Sequence, residues 1–302
     1  MSDPRWTRSP EDRRQLRRLL GPAGLPGSGR LRYGAAMHFH GLGLIDAAVL
    51  EAYRLAATRD EPVEAVLAQH GLAFRPPDAD ALTPEDRLRT LLAEIDHYLA
   101  GLSGPGIGET RAGLAQWQAG PVRGIATTAN AVIAEWLGPA LGALCADEPA
   151  LAQAIAAASG DLCWITYDGY GADIGPDFPR AHAFASLVGV EPDAAIAAQD
   201  FDLGLFLIAP HVLYRDHCHA APELYAPLTG PHGWRFAPDA PLALLPAHQP
   251  IWNEPHAPHL TKVGPTPFLC IYAWTRDAEA PAAIVPARDW PELEALRLGP
   301  AT

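Results

Sequence analysis

Beyond Phe201 the chain breaks into short β-prone runs separated by Pro, Gly and polar turn residues: LGLFLIA, HVLYRDHCH, ELYAPLTG, GWRFAP, LALLPA and FLCIYAWT. Short strands at such regular spacing predict an all-β sandwich or barrel over residues 201–302.

The first half has a different period. SPEDRRQLRRLLG places Ser9 at an N-cap, Pro10 at the first helical position and Asp12 at the capping-box position. In LIDAAVLEAYRLAATRD, Leu44, Ala47, Ala48, Leu50, Tyr53 and Leu55 recur near every 3.6 residues, as on one face of an amphipathic helix. TPEDRLRTLLAEIDHYLAG repeats the capping pattern at Thr83 and stops at Gly101. VRGIATTANAVIAEWLG and EPALAQAIAAAS read as further helices. Residues 1–160 are therefore expected to form a helical bundle. Residues 161–200, aromatic and interrupted by Gly and Pro, read as a connector with one short helix around residues 181–188. The fold class predicted is α+β.

With 302 residues, nearly half of them apolar, the chain can bury a core without cross-links. A net charge of −13 argues against a nucleic-acid binder, which needs clustered Lys and Arg; the RRQLRR run, Arg13 to Arg18, reads as a solvated helix face. Cys145, Cys163, Cys218 and Cys270 form no CxxC pair and fit free thiols in a reducing compartment. The N-terminus lacks the apolar core of a secretory signal, and no apolar run approaches membrane-spanning length. A soluble, cytoplasmic protein with no nucleic-acid or membrane partner is expected, and barrel edges beside an apolar helical domain are compatible with a homodimer.

The stretch YRDHCHAAPELYAPLTG carries the chemistry. Strand side chains alternate, so His217 and His219 share a face, as do Glu223 and Tyr225, and a bend at Ala220-Ala221-Pro222 brings the two pairs together. Imidazole with carboxylate is the ligand chemistry of Zn, Fe(II), Mn, Ni or Co. A fourth ligand is available from His248, His256 or His259. His259 is favoured because it immediately precedes a β-prone run, with His256 then a partner that supports the ligands from outside. His38-x-His40 has no acidic residue at ligand spacing and reads as structural. Lys262, the only lysine, has the opposite strand parity to His259.

His217, His219, Glu223 and Gly230 resemble the first metal-binding motif of the cupins. HVLYRDHCHAAPELYAPLTGPHGWRF followed by PHLTKVGPTPFLCIYAW is similar to the dimethylsulfoniopropionate lyase branch of that superfamily, over roughly residues 202–277. The general cupin motif begins with a glycine where this chain has His211. The resemblance implies a double-stranded β-helix barrel over 201–302, a divalent transition metal on His217, His219, Glu223 and His259, and Tyr225 as the base of a β-elimination.

The reaction so implied takes a small carboxylate with a β-leaving group, such as dimethylsulfoniopropionate, to acrylate and dimethylsulfide. The cation acidifies the adjacent C–H and draws down the Tyr225 phenol. An aromatic wall suits a sulfonium group through cation–π contact, with Tyr214, Trp234, Trp252, Tyr272 and Trp274 as candidates; Tyr167 and Tyr170 are placed to reach over the barrel mouth from the connector. The alternatives are another metallo-cupin activity, Fe(II) dioxygenation or isomerisation, and a non-catalytic ligand-binding cupin.

Overall fold

A computed structural model describes residues 9–21, 23–59, 61–76, 83–167, 169–190 and 192–299. Helices come first: α1 (Pro10–Leu20), α2 (Ser28–Gly41), α3 (Ala47–Arg59), α4 (Val63–Gln69), α5 (Pro84–Ala100), α6 (Ile107–Trp117), α7 (Ala131–Leu144) and α8 (Pro149–Ala158). The strands follow: β1 (His182–Gly189), β2 (Ile196–Ala197), β3 (Asp202–Ile208), β4 (Leu213–Cys218), β5 (Glu223–Pro227), β6 (His232–Arg235), β7 (Ala243–Leu245), β8 (Ile251–Asn253), β9 (His259–Lys262), β10 (Phe268–Trp274) and β11 (Ala283–Ile284). A last helix, α9, spans Trp290–Ala295.

Two compact units emerge: Met1–Glu94 with Leu144–Gly160, and Ile95–Ala143 with Asp161–Thr302. In the first, α1 to α4 bury one apolar cluster that includes Leu19, Phe39, Val49 and Val66. Both expected capping boxes are present. Asp12 N donates to Ser9 Oγ at 3.0 Å while Ser9 N donates to Asp12 Oδ2 at 3.2 Å. Thr83 and Asp86 exchange the same pair of bonds at 3.1 and 3.2 Å. Each cap satisfies amide groups that the first helical turn leaves open, worth about 1 kcal/mol.

The second unit holds two sheets, ordered β2-β1-β3-β10-β5-β8 and β11-β4-β9-β6-β7. Residues from both sheets, among them Phe206, Tyr214, Tyr225, Trp234 and Phe268, share one aromatic core. Among the described residues no strand pairing joins the sheets, so they face each other instead of closing into the expected barrel. The reason is local: the edge strands β2, β7, β8 and β11 are two or three residues long, too short to extend the ladder.

The short helix expected around residues 181–188 is instead β1, an eight-residue strand paired antiparallel with β3 from His182↔Ile208 onward. HAFASLVG has apolar residues at spacings that fit either period, and burial between two neighbouring strands decides for the extended form. At the other end, α9 is tied to the sheet through Arg235, whose Nε donates to Asp216 Oδ1 at 2.9 Å and whose Nη1 donates to Asp289 Oδ2 at 2.6 Å. Trp290 Nε1 also donates to Asp216, at 2.7 Å. All four cysteines are free thiols. Among the described residues no helix is long and apolar enough to cross a membrane.

Candidate functional site

The turn between β4 and β5 carries the chain from one sheet to the other, so His217 and Glu223 approach from opposite walls. His217 is a direct cross-strand partner of His259 on β9. His217, His219 and His259 are buried, and one ring nitrogen from each lies within 4.8 Å of the other two. Glu223 Oε2 stands 3.2 Å from His219 Nε2 and 3.3 Å from His259 Nε2.

Each ring is oriented by its other nitrogen. His217 Nδ1 donates to Arg215 O at 2.9 Å, His219 Nδ1 to Ala221 O at 2.7 Å, and His259 Nδ1 to Ala257 O at 3.0 Å. A carbonyl only accepts, so the proton sits on Nδ1 and the Nε2 atoms are the ones turned inward. His217 Nε2 and His259 Nε2 are buried without a hydrogen-bond partner. Orphaned buried nitrogens of this kind, converging with a carboxylate, are the donor set of a divalent transition ion, and the residues fit one.

The charges agree with that arrangement. Burial, then the neighbouring imidazoles, pushes His217 well below the ordinary histidine value. At His219 burial acts downward, but the Glu223 charge and hydrogen bond outweigh it and the ring is held above its ordinary value. Burial would raise Glu223, yet contact with His219 and His259 holds it well below the carboxylate range.

Glu223 has further partners. Trp274 Nε1 donates to its Oε1 at 2.8 Å, and Asn253 Nδ2 to its Oε2 at 3.1 Å. Trp274 also stacks on His219, ring centroids 4.4 Å apart. Neither role is readable from the motif, because β8 and β10 flank β5 only through long-range pairing.

A cavity of about 460 Å3 reaches the cluster at Glu223. Tyr225, Tyr214, Tyr272 and Trp274 line it, together with Tyr167 and Tyr170 from the connector. Burial, with the Glu223 charge and hydrogen bond adding to it, pushes the Tyr225 phenol well above its ordinary value of 10 in the chain alone. Tyr214 stacks on His217 at 3.9 Å, and the Tyr170 and Tyr214 hydroxyls hydrogen-bond.

Two of the five aromatic candidates lie elsewhere. Trp234 is fully buried in the core against Tyr225 and Phe268, outside the cavity lining. Trp252 also does not line the cavity; its Nε1 donates to Glu254 at 2.9 Å. Of the alternative ligands, His248 Nδ1 pairs with the Tyr98 hydroxyl at 3.0 Å, and the His256 amide donates to His219 O at 2.8 Å. Lys262 Nζ donates to His211 O at 2.6 Å and Glu294 O at 3.2 Å, away from the cluster as its parity requires. His38 pairs with Asp12 and His40 with the Ile45 carbonyl, both structural. Gly230 is required where it is because a Cβ would come within 2.5 Å of the Ala247 amide nitrogen.

Asp202 was not singled out by its sequence pattern. It opens the otherwise apolar β3, lines the cavity, and accepts from Ser186 Oγ at 2.5 Å and Tyr272 Oη at 3.2 Å. The one available signal was a charged residue heading an apolar strand.

No curated protein matches the chain. Among solved structures, the dimethylsulfoniopropionate lyase DddQ from Ruegeria pomeroyi superimposes with a TM-score of 0.51 at 19% identity, over 66% of this chain and 96% of that one. A structure described with the lyases RdDddP and RnDddQII aligns over 68% of this chain and 100% of that one, at 19% identity and a TM-score of 0.49. A cupin-like protein from Thermotoga maritima aligns over 39% of this chain and 86% of that one, at 15% identity and a TM-score of 0.33. The likeness to DddQ is one of fold. The family model for dimethylsulfoniopropionate lyase matches residues 114–270, more than half of the chain and a span that includes the motif and every residue of the His–Glu cluster. The chain belongs to the dimethylsulfoniopropionate lyase family.

Proposed function

We propose that the protein is a metal-dependent lyase that removes a β-substituent from a small carboxylate, taking dimethylsulfoniopropionate to dimethylsulfide and acrylate. The observation that carries this reading is the convergence of three buried imidazoles and Glu223 next to Tyr225 at one end of an aromatic cavity. In this reading the two facing sheets are the double-stranded β-helix of the cupins.

His217, His219, Glu223 and His259 would hold a divalent transition ion, which would supply Lewis-acid charge that acidifies the C–H next to the substrate carboxylate and opposes the upward push on the Tyr225 phenol. Tyr225 Oη, as the base, takes the α-proton. The electron pair of that C–H bond becomes the second bond between the α- and β-carbons. The bond from the β-carbon to sulfur breaks, sulfur keeps its pair and leaves as neutral dimethylsulfide, and acrylate remains. Asn253 and Trp274 hold the Glu223 carboxylate in place. Tyr214, Tyr272 and Trp274 wall the substrate.

Headspace detection of dimethylsulfide from purified, metal-loaded protein tests the reading, with Tyr225→Phe as control. Release by the wild type and its loss in the variant is the expected result. A metal-loaded wild type as inactive as the variant overturns this substrate.

A further inference from the structure

The strand that carries His217 is irregular where it approaches the cluster. β4 pairs with β9 at Leu213↔Lys262 and Tyr214↔Thr261 and again at His217↔His259, so Arg215 and Asp216 together oppose the single residue Leu260. A bulge of this kind re-aims the side chain that follows it, here His217, but takes its own residues out of the ladder that would hold them. The peptide so released is the one that orients the ligand, since His217 Nδ1 donates to Arg215 O at 2.9 Å.

Side chains hold the bulge where the ladder does not. Arg215 Nε donates to Glu294 Oε1 on α9 at 3.0 Å, Nη2 donates to the same oxygen, and Nη1 donates to Asp173 O in the connector at 2.9 Å. The guanidinium also lies 4.5 Å from the centre of the Trp290 ring. Asp216 accepts from Trp290 Nε1, and its carbonyl accepts from Val285 N at 2.8 Å. Trp290 and Glu294 are four residues apart, hence on one face of α9, and that face meets both bulged residues. Lys262 Nζ on β9 donates to Glu294 O at 3.2 Å, so Glu294 is tied to both strands that carry His217 and His259. Gly175 makes room for the arrangement, because a Cβ there would come within 2.9 Å of Arg215 Nε. The Arg215 and Glu294 side chains are only 16% and 29% exposed, so the pair is partly shielded from water, and a fork of donors fixed on two partners leaves the guanidinium little freedom to turn.

We propose that Arg215 is a positioning residue for the metal centre: clamped to Glu294 of α9 and to the connector, it fixes the bulged peptide whose carbonyl aims His217 into the histidine cluster. The inference rests on the metal-binding part of the proposed function and not on the substrate. It gives α9 a purpose that its distance in sequence from the motif conceals. Releasing the clamp lets the Arg215 peptide turn, and the His217 ring turns with the carbonyl that holds its Nδ1 proton.

Zinc affinity, read by competition with a chromophoric chelator, tests the clamp in full-length protein whose metal-free fold is checked by circular dichroism. Arg215→Gln and Glu294→Ala are each expected to weaken binding about tenfold. Because both sever one contact, the double variant is expected to be no more than about twofold weaker than either single one. Glu294→Ala, which leaves β4 untouched, carries the same expectation if Arg215→Gln does not fold. Proton resonances of the cobalt(II)-loaded protein supply a readout that a merely loosened fold would not move selectively. The exchangeable ring proton of His217 is expected to shift in Arg215→Gln, while those of His219 and His259, bonded to Ala221 O and Ala257 O, stay in place. Affinities within about twofold of wild type in the folded variants, or losses that multiply in the double variant, overturn the clamp alone. A wild type that binds no zinc removes the centre and the clamp together. None of these readouts uses turnover, so a protein that shows the expected losses but releases no dimethylsulfide keeps the clamp and loses the lyase reading.

Discussion

His217 on β4 and His259 on β9 face each other across one antiparallel ladder, with ring centroids 4.1 Å apart. The pairing bulges between Tyr214 and His217, so the three-residue step between them, which alternation would put on opposite faces, brings both onto the inner face. Tyr214 consequently stacks on His217 and stiffens the ring whose Nε2 points into the cluster.

Removing one imidazole should empty the centre. Wild type loaded with zinc and desalted is expected to retain about one equivalent, and His259→Ala less than about a tenth of that, by atomic emission. Equal retention by both proteins would place the metal elsewhere.

Tyr225→Phe should keep the metal and lose the chemistry. A positioned general base contributes about a hundredfold to ten-thousandfold in rate, so dimethylsulfide release should fall by that range at unchanged zinc content. A variant within about threefold of wild type removes Tyr225 from the role of base.

The indole of Trp274 holds Glu223 Oε1, and phenylalanine would preserve the stack on His219 while deleting the donor. Loss of such an outer partner typically costs about 10- to 100-fold in metal affinity. Competition with a chromophoric chelator measures it, and an unchanged affinity in Trp274→Phe rejects the positioning role.

His182 and His232 make the fold acid-sensitive. Both are buried and held neutral: His182 Nδ1 donates to Phe178 O at 2.6 Å and its Nε2 accepts from the Tyr167 amide at 3.0 Å, while His232 Nδ1 accepts from the Gly264 amide at 3.1 Å. Burial pushes each from 6.5 down to about 4. The unfolded chain therefore takes up these protons first as the pH falls. Their contribution is complete above pH 6.5 and is lost progressively down to about pH 4, up to about 3 kcal/mol for each ring. Urea unfolding of the metal-free protein should show stability falling between pH 7 and 4.5, with a shallower fall in His232→Asn. The same slope in both proteins would count against His232.

Breaking the buried ion pair should cost more than any surface change. Arg235 and Asp216 side chains are both fully buried, so Asp216→Ala leaves the guanidinium with only the partly exposed Asp289 as its counter-charge and is expected to lower stability by about 3–5 kcal/mol. A change below about 1 kcal/mol in chemical unfolding would mean that Asp289 alone satisfies Arg235.

Much of the centre was legible before any coordinates. The alternation that puts His217 with His219 and Glu223 with Tyr225 is a property of extended backbone, and the two capping boxes are set within four residues. His259 is favoured over His248 and His256 because it immediately precedes a β-prone run, and in the fold it opens β9. Asn253 and Asp202 stayed hidden, as did the bond from Trp274 to Glu223, since each meets its partner through pairings between strands distant in sequence. Nor does composition distinguish Trp274, in the cavity, from Trp234 in the core or Trp252 outside the lining.

By itself, then, the sequence determined which residues alternate together, where helices begin, and the ligand types on offer, because these depend on bonds and neighbours a few positions apart. Tertiary structure decided that residues 182–189 are a strand, that a bulge turns Tyr214 inward, and that the sheets face each other without joining. Those outcomes depend on which backbone edge another segment satisfies and which face it buries, and only the packed chain brings those segments together.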